Sequence, residues 1–131
     1  MFVLDTNAVI HYFKGQGRVA ERLLTVSPDE VALPSLVVFE LTVGVLRSDN
    51  PARRQAQLEL FLGTVTTLPF GRPEAAAAAR VRADLEAEGR PIGPYDVLIA
   101  GTALAQGAVL VTRNVREFNR VRGLAVENWY E

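Results

Sequence analysis

Short apolar runs alternate with longer stretches of helical period along this chain. Phe2-Val3-Leu4 reads as a buried strand, and a helix follows from about Asn7 to Phe13. Gly15-Gln16-Gly17 interrupts that helix, and Arg18 to Leu24 resumes the helical pattern. Val31-Ala32-Leu33 forms a second strand stopped by Pro34, with Ser35 as the expected cap of a helix reaching Arg47. The turn Ser48-Asp49-Asn50-Pro51 leads to a helix from Ala52 to Leu62, and Val65 to Leu68 reads as a third strand. Pro73 and Glu74 open an alanine-rich helix that continues to about Glu88 and stops at Gly89. After Gly93-Pro94 a helix is expected from Asp96 to Gln106, ended by Gly107. Val109-Leu110-Val111 is a buried strand and Leu124-Ala125-Val126 an edge strand. Strands this apolar, separated by helices, predict a three-layer α/β/α domain around a mostly parallel, Rossmann-like sheet. Residues 1–131 are expected to form a single domain, long enough to bury a core.

Composition narrows the chemistry. The chain has no cysteine and one histidine, His11, so thiolate and multi-histidine metal sites are excluded. Oxygen donors remain, and these suit magnesium or manganese. No apolar run reaches the length of a membrane span and the start does not resemble a signal peptide, so a cytoplasmic protein is expected. The net charge of −1 gives no bulk attraction to nucleic acid. Thirteen arginines stand against one lysine, Lys14, and Arg113, Arg116, Arg120 and Arg122 cluster near the C-terminus. They make either a solvated face or a phosphate-binding patch. Gly15-Gln-Gly17-Arg-Val-Ala20 matches a dinucleotide-binding spacing, but a helix precedes it where a strand is required, so the match is rejected.

Three acids fall at unusual places. Asp5 follows the first strand; it can cap the next helix, yet ligands of open α/β sheets also bind at the carboxyl ends of strands. Thr6 and Asn7 beside it offer a hydroxyl and an amide to orient the carboxylate or a water. Glu40 shares a helical face with Leu36, Val37, Val43 and Gly44, where an unpaired charge is costly. An edge position reaching water, or an arginine partner, would also account for it. Asp96 stands at the expected start of a helix, where capping is again the simplest explanation. Thr112-Arg113-Asn114 follows the fourth strand and lines another carboxyl end, whereas Glu117 reads as a helix-surface residue. Three carboxylates brought to one point would repel one another and lose ionisation unless a cation offset the charge. Such a site fits metal-assisted phosphodiester hydrolysis, and neither a Ser/His pair nor a thiol offers a competing nucleophile.

Taken together these segments resemble the PIN-domain ribonucleases, and in particular VapC-type toxins of bacterial type II toxin–antitoxin systems. The resemblance is carried by Leu4-Asp5-Thr6-Asn7 and by Ser35-Leu-Val-Val-Phe-Glu40-Leu-Thr-Val-Gly44. Further on it is carried by Gly89-Arg-Pro-Ile-Gly-Pro-Tyr-Asp96-Val-Leu-Ile-Ala-Gly-Thr, Leu110-Val-Thr-Arg-Asn114-Val-Arg-Glu-Phe118 and Val121-Arg-Gly-Leu-Ala-Val-Glu-Asn-Trp129. It implies a catalytic, metal-binding set of Asp5, Glu40 and Asp96 holding Mg²⁺ or Mn²⁺. Thr6, Asn7, Thr112 and Asn114 would support that set, and Arg113 and Arg116 would contact RNA. Many members carry an aspartate where this chain has Asn114, which weakens the case for a second metal. The resemblance further implies an RNA substrate (tRNA favoured, initiator tRNA among them), a homodimer and a VapB-type antitoxin that blocks the acidic pocket. Two rivals remain. A haloacid-dehalogenase-type phosphatase would want an aspartate at Asn7. A non-catalytic dimeric interaction domain would use the acids only to bind a basic partner peptide.

Overall fold

The computed structural model describes residues 1–131. Five strands, β1 (Phe2–Leu4), β2 (Val31–Pro34), β3 (Thr66–Leu68), β4 (Val109–Val111) and β5 (Ala125–Glu127), form one sheet in the order β3-β2-β1-β4-β5. Every neighbouring pair is parallel, with Val3 opposite Ala32 on one side and Leu110 on the other. The expectation of a mostly parallel sheet thus becomes a wholly parallel one. All four residues of β2 are buried, as are Val3, Leu4, Leu110 and Val111. Successive strand residues point to opposite faces, so both faces of the sheet are covered.

The cover consists of α1 (Thr6–Lys14), α2 (Val19–Leu23), α3 (Ser35–Leu46), α4 (Pro51–Leu62), α5 (Arg72–Ala87), α6 (Pro94–Ala105) and the short α7 (Val115–Phe118). A 3₁₀ turn, Pro28–Glu30, leads into β2. Val9, Val37, Leu58, Val81, Ile99 and Phe118 enter one continuous core from six different helices. The tightest approach is α5 on α6: a β-carbon at Gly101 would fall 2.5 Å from that of Ala78, so only glycine permits this spacing.

Several helix starts differ from the expected ones. Ser35 does not cap α3; β2 runs straight into the helix, Pro34 occupies the cap position, and Ser35 is already helical. Asn50 caps α4 instead of lying in a turn before it, its Oδ1 accepting from the Arg53 N–H at 3.2 Å. Pro51 and Pro94 each occupy the first helical position, where the missing N–H costs nothing and φ is already set. Consequently α6 begins two residues before Asp96, which lies within the first turn and is not the cap. The last strand is displaced by one residue, to Ala125–Glu127, and the helix expected around Glu117 is the single turn α7.

Candidate active site

Strand order reverses its direction of growth between β1 and β4, and the crevice outside their carboxyl ends is the natural ligand site of such a sheet. Asp5 and Thr112 are the residues immediately beyond those ends. The Asp5 N–H donates to the Val111 carbonyl at 3.1 Å, which extends the ladder to the edge of the crevice. The Thr112 hydroxyl then donates across it to Asp5 Oδ2 at 2.6 Å. Asp5 Oδ1 accepts from the Ala8 N–H at 2.8 Å, so Asp5 both caps α1 and faces the crevice. Burial pushes its carboxyl above the ordinary range; the Thr112 and Ala8 donors pull against that, and the Glu40 charge reinforces it.

Glu40 approaches from the second turn of α3, where the Thr6 hydroxyl donates to its Oε1 at 2.7 Å. It is half-exposed, so the apolar face inferred around it is only partly realised: Val37 and Leu41 are buried while Gly44 is open. Asp96 makes no hydrogen bond through its carboxylate. Burial is the main cause that pushes its pKa up to about 6, followed by the charges of Glu117, Asp5 and Glu40 in that order. Glu117, read from sequence as a helix-surface residue, is thus the acid with the greatest effect on Asp96. Its Oε2 accepts from Asn114 Nδ2 at 2.9 Å, and the Asn114 N–H donates to the Thr112 hydroxyl oxygen at 3.0 Å. Two short chains result, Thr6–Glu40 on one side and Asp5–Thr112–Asn114–Glu117 on the other, with Asp96 between their charges. Asn7 is exposed and its side chain makes no hydrogen bond, so it does not join the cluster.

None of these four acids forms an ion pair; all four salt bridges in the molecule lie elsewhere. The donor set is entirely oxygen, with an excess of negative charge, and therefore suits a hard divalent cation. No three of the carboxylates stand close enough to form a ready-made cage. That spacing is compatible with Mg²⁺, which uses one or two carboxylates and keeps several waters for exchange with substrate oxygens.

The arginines divide. Arg120 donates to the Pro91 carbonyl at 3.1 Å and Arg122 to Glu88 at 2.9 Å, so both tie the C-terminal segment to the rest of the fold. Arg116 is exposed and without an ion pair. Arg113 lies with its guanidinium carbon 3.7 Å from the centre of the Tyr130 ring.

A family model for the PIN domain matches residues 2–124. The chain is 35% identical over 128 residues to the tRNA(fMet)-specific endonuclease VapC of Shigella flexneri, covering 98% of this chain and 97% of the relative. It is also 35% identical to ribonuclease VapC2 of Haemophilus influenzae, over the same share of both chains. Among solved structures, DNA-bound VapBC from Salmonella typhimurium superposes with a TM-score of 0.92 at 36% identity, covering 98% and 97% of the two chains. VapBC2 from Rickettsia felis, bound to a fragment of its promoter, superposes with a TM-score of 0.91 at 32% identity, covering 98% of each. With a family match over residues 2–124 and relatives aligned along nearly their whole length, the chain belongs to the PIN-domain family, within its VapC branch.

Proposed function

We propose that this protein is an endoribonuclease toxin that hydrolyses RNA phosphodiester bonds with the help of bound Mg²⁺ or Mn²⁺. The observation that carries this reading is the convergence of Asp5, Glu40, Asp96 and Glu117 on the β1/β4 crevice with no cationic side chain paired to any of them. Asp5 and Asp96 would hold the cation, with Glu40 beside them. When bound, the ion supplies a water of lowered pKa and offsets charge on the phosphoryl oxygen. The protein's own part is orientation. Thr112 and Ala8 fix both oxygens of Asp5, and Thr6 fixes one oxygen of Glu40, leaving the other free to accept from a water. Hydrolysis adds water across a P–O bond, and the proton lost by the water needs an acceptor. The Glu40 oxygen that Thr6 leaves free would be the acceptor.

The substrate proposed is tRNA in the cytoplasm, with initiator tRNA first, since the Shigella flexneri relative is named for that specificity. No helix of this protein is long and apolar enough to cross a membrane. A VapB-type antitoxin is the proposed partner, supported by the VapBC complexes among the similar structures. A homodimer is the proposed assembly. The test is incubation of the purified protein with total RNA and Mn²⁺, followed by mapping of new 5′ ends. A single dominant cut in one tRNA, abolished by chelator, is expected. RNA left intact with metal present, or cleavage indifferent to chelator, refutes the reading.

A further inference from the structure

We propose that Phe39 and Tyr95 form a stacking site for an unpaired base of the RNA strand, in a groove that opens onto Glu40 and crosses α3 at Gly44. This rests on the ribonuclease reading above and adds to it residues that hold the strand.

The two rings come from different helices, each one residue before an acid of the site. Phe39 precedes Glu40 in α3, and Tyr95 precedes Asp96 in α6. They meet edge to face, with ring centres 6.1 Å apart and planes at 85°. The core encloses Trp129 and Phe118 almost completely, yet Phe39 stays 49% and Tyr95 46% exposed. An edge-to-face pair leaves at least one face of each ring free of the other. A nucleobase stacks on such a face whatever its identity, because every base has a π-face. The pair lines an open groove of about 440 Å³ together with Thr6, Glu40, Gly44 and Arg47. That volume falls in the range of small-ligand sites.

Gly44 keeps this groove open. A β-carbon there would meet nothing within 4 Å and its φ is not positive, so neither packing nor backbone geometry requires glycine. Inside a helix, glycine costs stability relative to alanine. What it supplies is bare ground one turn beyond Glu40. Glu40 and Gly44 also line a second groove of about 410 Å³, shared with Arg54, so the two grooves meet at these residues and a strand can pass between them. Arg47 and Arg54 are exposed and in no ion pair, which puts one free cation in each groove for the flanking phosphates. The chemistry favours RNA as the occupant. The first groove ends on the hydrogen-bonded Thr6–Glu40 pair, where the strand to be cut must lie. It offers the aromatic face and the cation by which unpaired nucleotides are held.

The test compares two fluorescein-labelled probes, a short oligouridylate and an abasic ribose-phosphate oligomer of equal length. Both bind to the full chain in excess EDTA and are followed by fluorescence anisotropy. Wild type is expected to prefer the uridylate by at least about fivefold, the low end for one stacked base. Phe39→Ala and Tyr95→Ala should each remove most of that preference while binding the abasic probe like wild type, and Tyr95→Phe should retain it. Gly44→Gln should weaken uridylate binding by a similar factor without lowering the melting temperature. Equal affinity of wild type for the two probes, including binding of neither, overturns the site. Alanine variants that keep the preference overturn the assignment of these rings, and a Gly44→Gln protein that binds like wild type overturns the crossing at Gly44. A change of mass in sedimentation on Phe39→Ala would mean that this face joins two copies of the chain, and the base site would be refuted. Should an alanine variant not fold, the two probes on wild type and Gly44→Gln still decide the matter. A wild type that discriminates between the probes but cleaves no RNA in Mn²⁺ would refute the nuclease reading alone.

Discussion

Replacing Asp96 by asparagine should stabilise the metal-free protein while abolishing its activity, a pairing that a structural carboxylate would not produce. Asp96 carries no hydrogen bond that the substitution would break, and its shape is retained. Its carboxyl is pushed from 3.8 to about 6 by burial and by Glu117, Asp5 and Glu40. At 1.36 kcal/mol per tenfold, that rise opposes ionisation by about 3 kcal/mol; because the group is half-exposed, screening reduces this to about 1–2 kcal/mol. The folded state binds the proton more tightly than the unfolded chain does. The favourable contribution is therefore complete below 3.8 and is lost as pH rises through 6. At about pH 7.5 the wild type carries the whole penalty and the asparagine variant none, which for a chain of this size raises the melting temperature by roughly 3–8 °C. Near pH 4 the gain should shrink to roughly a fifth, since wild-type Asp96 is then protonated in the fold. Thermal melts in EDTA at the two pH values measure both numbers. Adding Mn²⁺ should then raise the wild-type melting temperature by mass action and leave the variant nearly unmoved. Equal melting temperatures at neutral pH, or a gain of the same size in acid, would refute the electrostatic argument. A variant that responds to Mn²⁺ like wild type would refute the assignment of Asp96 as a ligand.

Thr112→Val removes a buried hydroxyl that donates to Asp5 and accepts from the Asn114 N–H. It should lower stability by about 2–3 kcal/mol in urea titration, and cleavage should fall with it. Thr6→Val deprives Glu40 of its one side-chain donor in a more open setting. A cost of about 1 kcal/mol in transition-state stabilisation, or roughly fivefold in kcat/KM, is expected with little change in melting temperature. Asn114→Asp replaces the donor to Glu117 with a like charge. The metal-free protein should lose about 1 kcal/mol, recovered on adding Mn²⁺. Gly101→Ala forces a methyl group into Ala78 at 2.5 Å and should destabilise α5 on α6 by about 1–3 kcal/mol, read from chemical denaturation.

Much of the architecture was legible because apolar runs and glycine or proline punctuation act locally. Phe2–Leu4, the alanine-rich helix ending before Gly89, and Val109–Val111 each announce themselves within a few residues. The misplaced helix starts have one cause: a polar residue such as Ser35 or Asp96 resembles a cap until the preceding proline or strand is seen to have begun the helix already. Glu117 reads from sequence only as a helix-surface residue because α7 has four residues, too few for any period to show which way it faces. The stacking of Arg113 on Tyr130 joins loop and C-terminus and leaves no pattern in either segment.

The sequence by itself determined the succession of strands and helices, the restriction to oxygen ligands, and the acids worth watching, since these follow from local pattern and residue chemistry. Only the tertiary structure decided which groups share a charge environment. Asp5 and Thr112, 107 positions apart, meet because β1 and β4 are parallel neighbours. Asp96 acquires its raised pKa because the fold half-buries it and, next, because α6 and α7 bring it near Glu117. Electrostatic coupling falls with distance in space and is indifferent to distance along the chain, so no reading of local pattern could have ranked those acids.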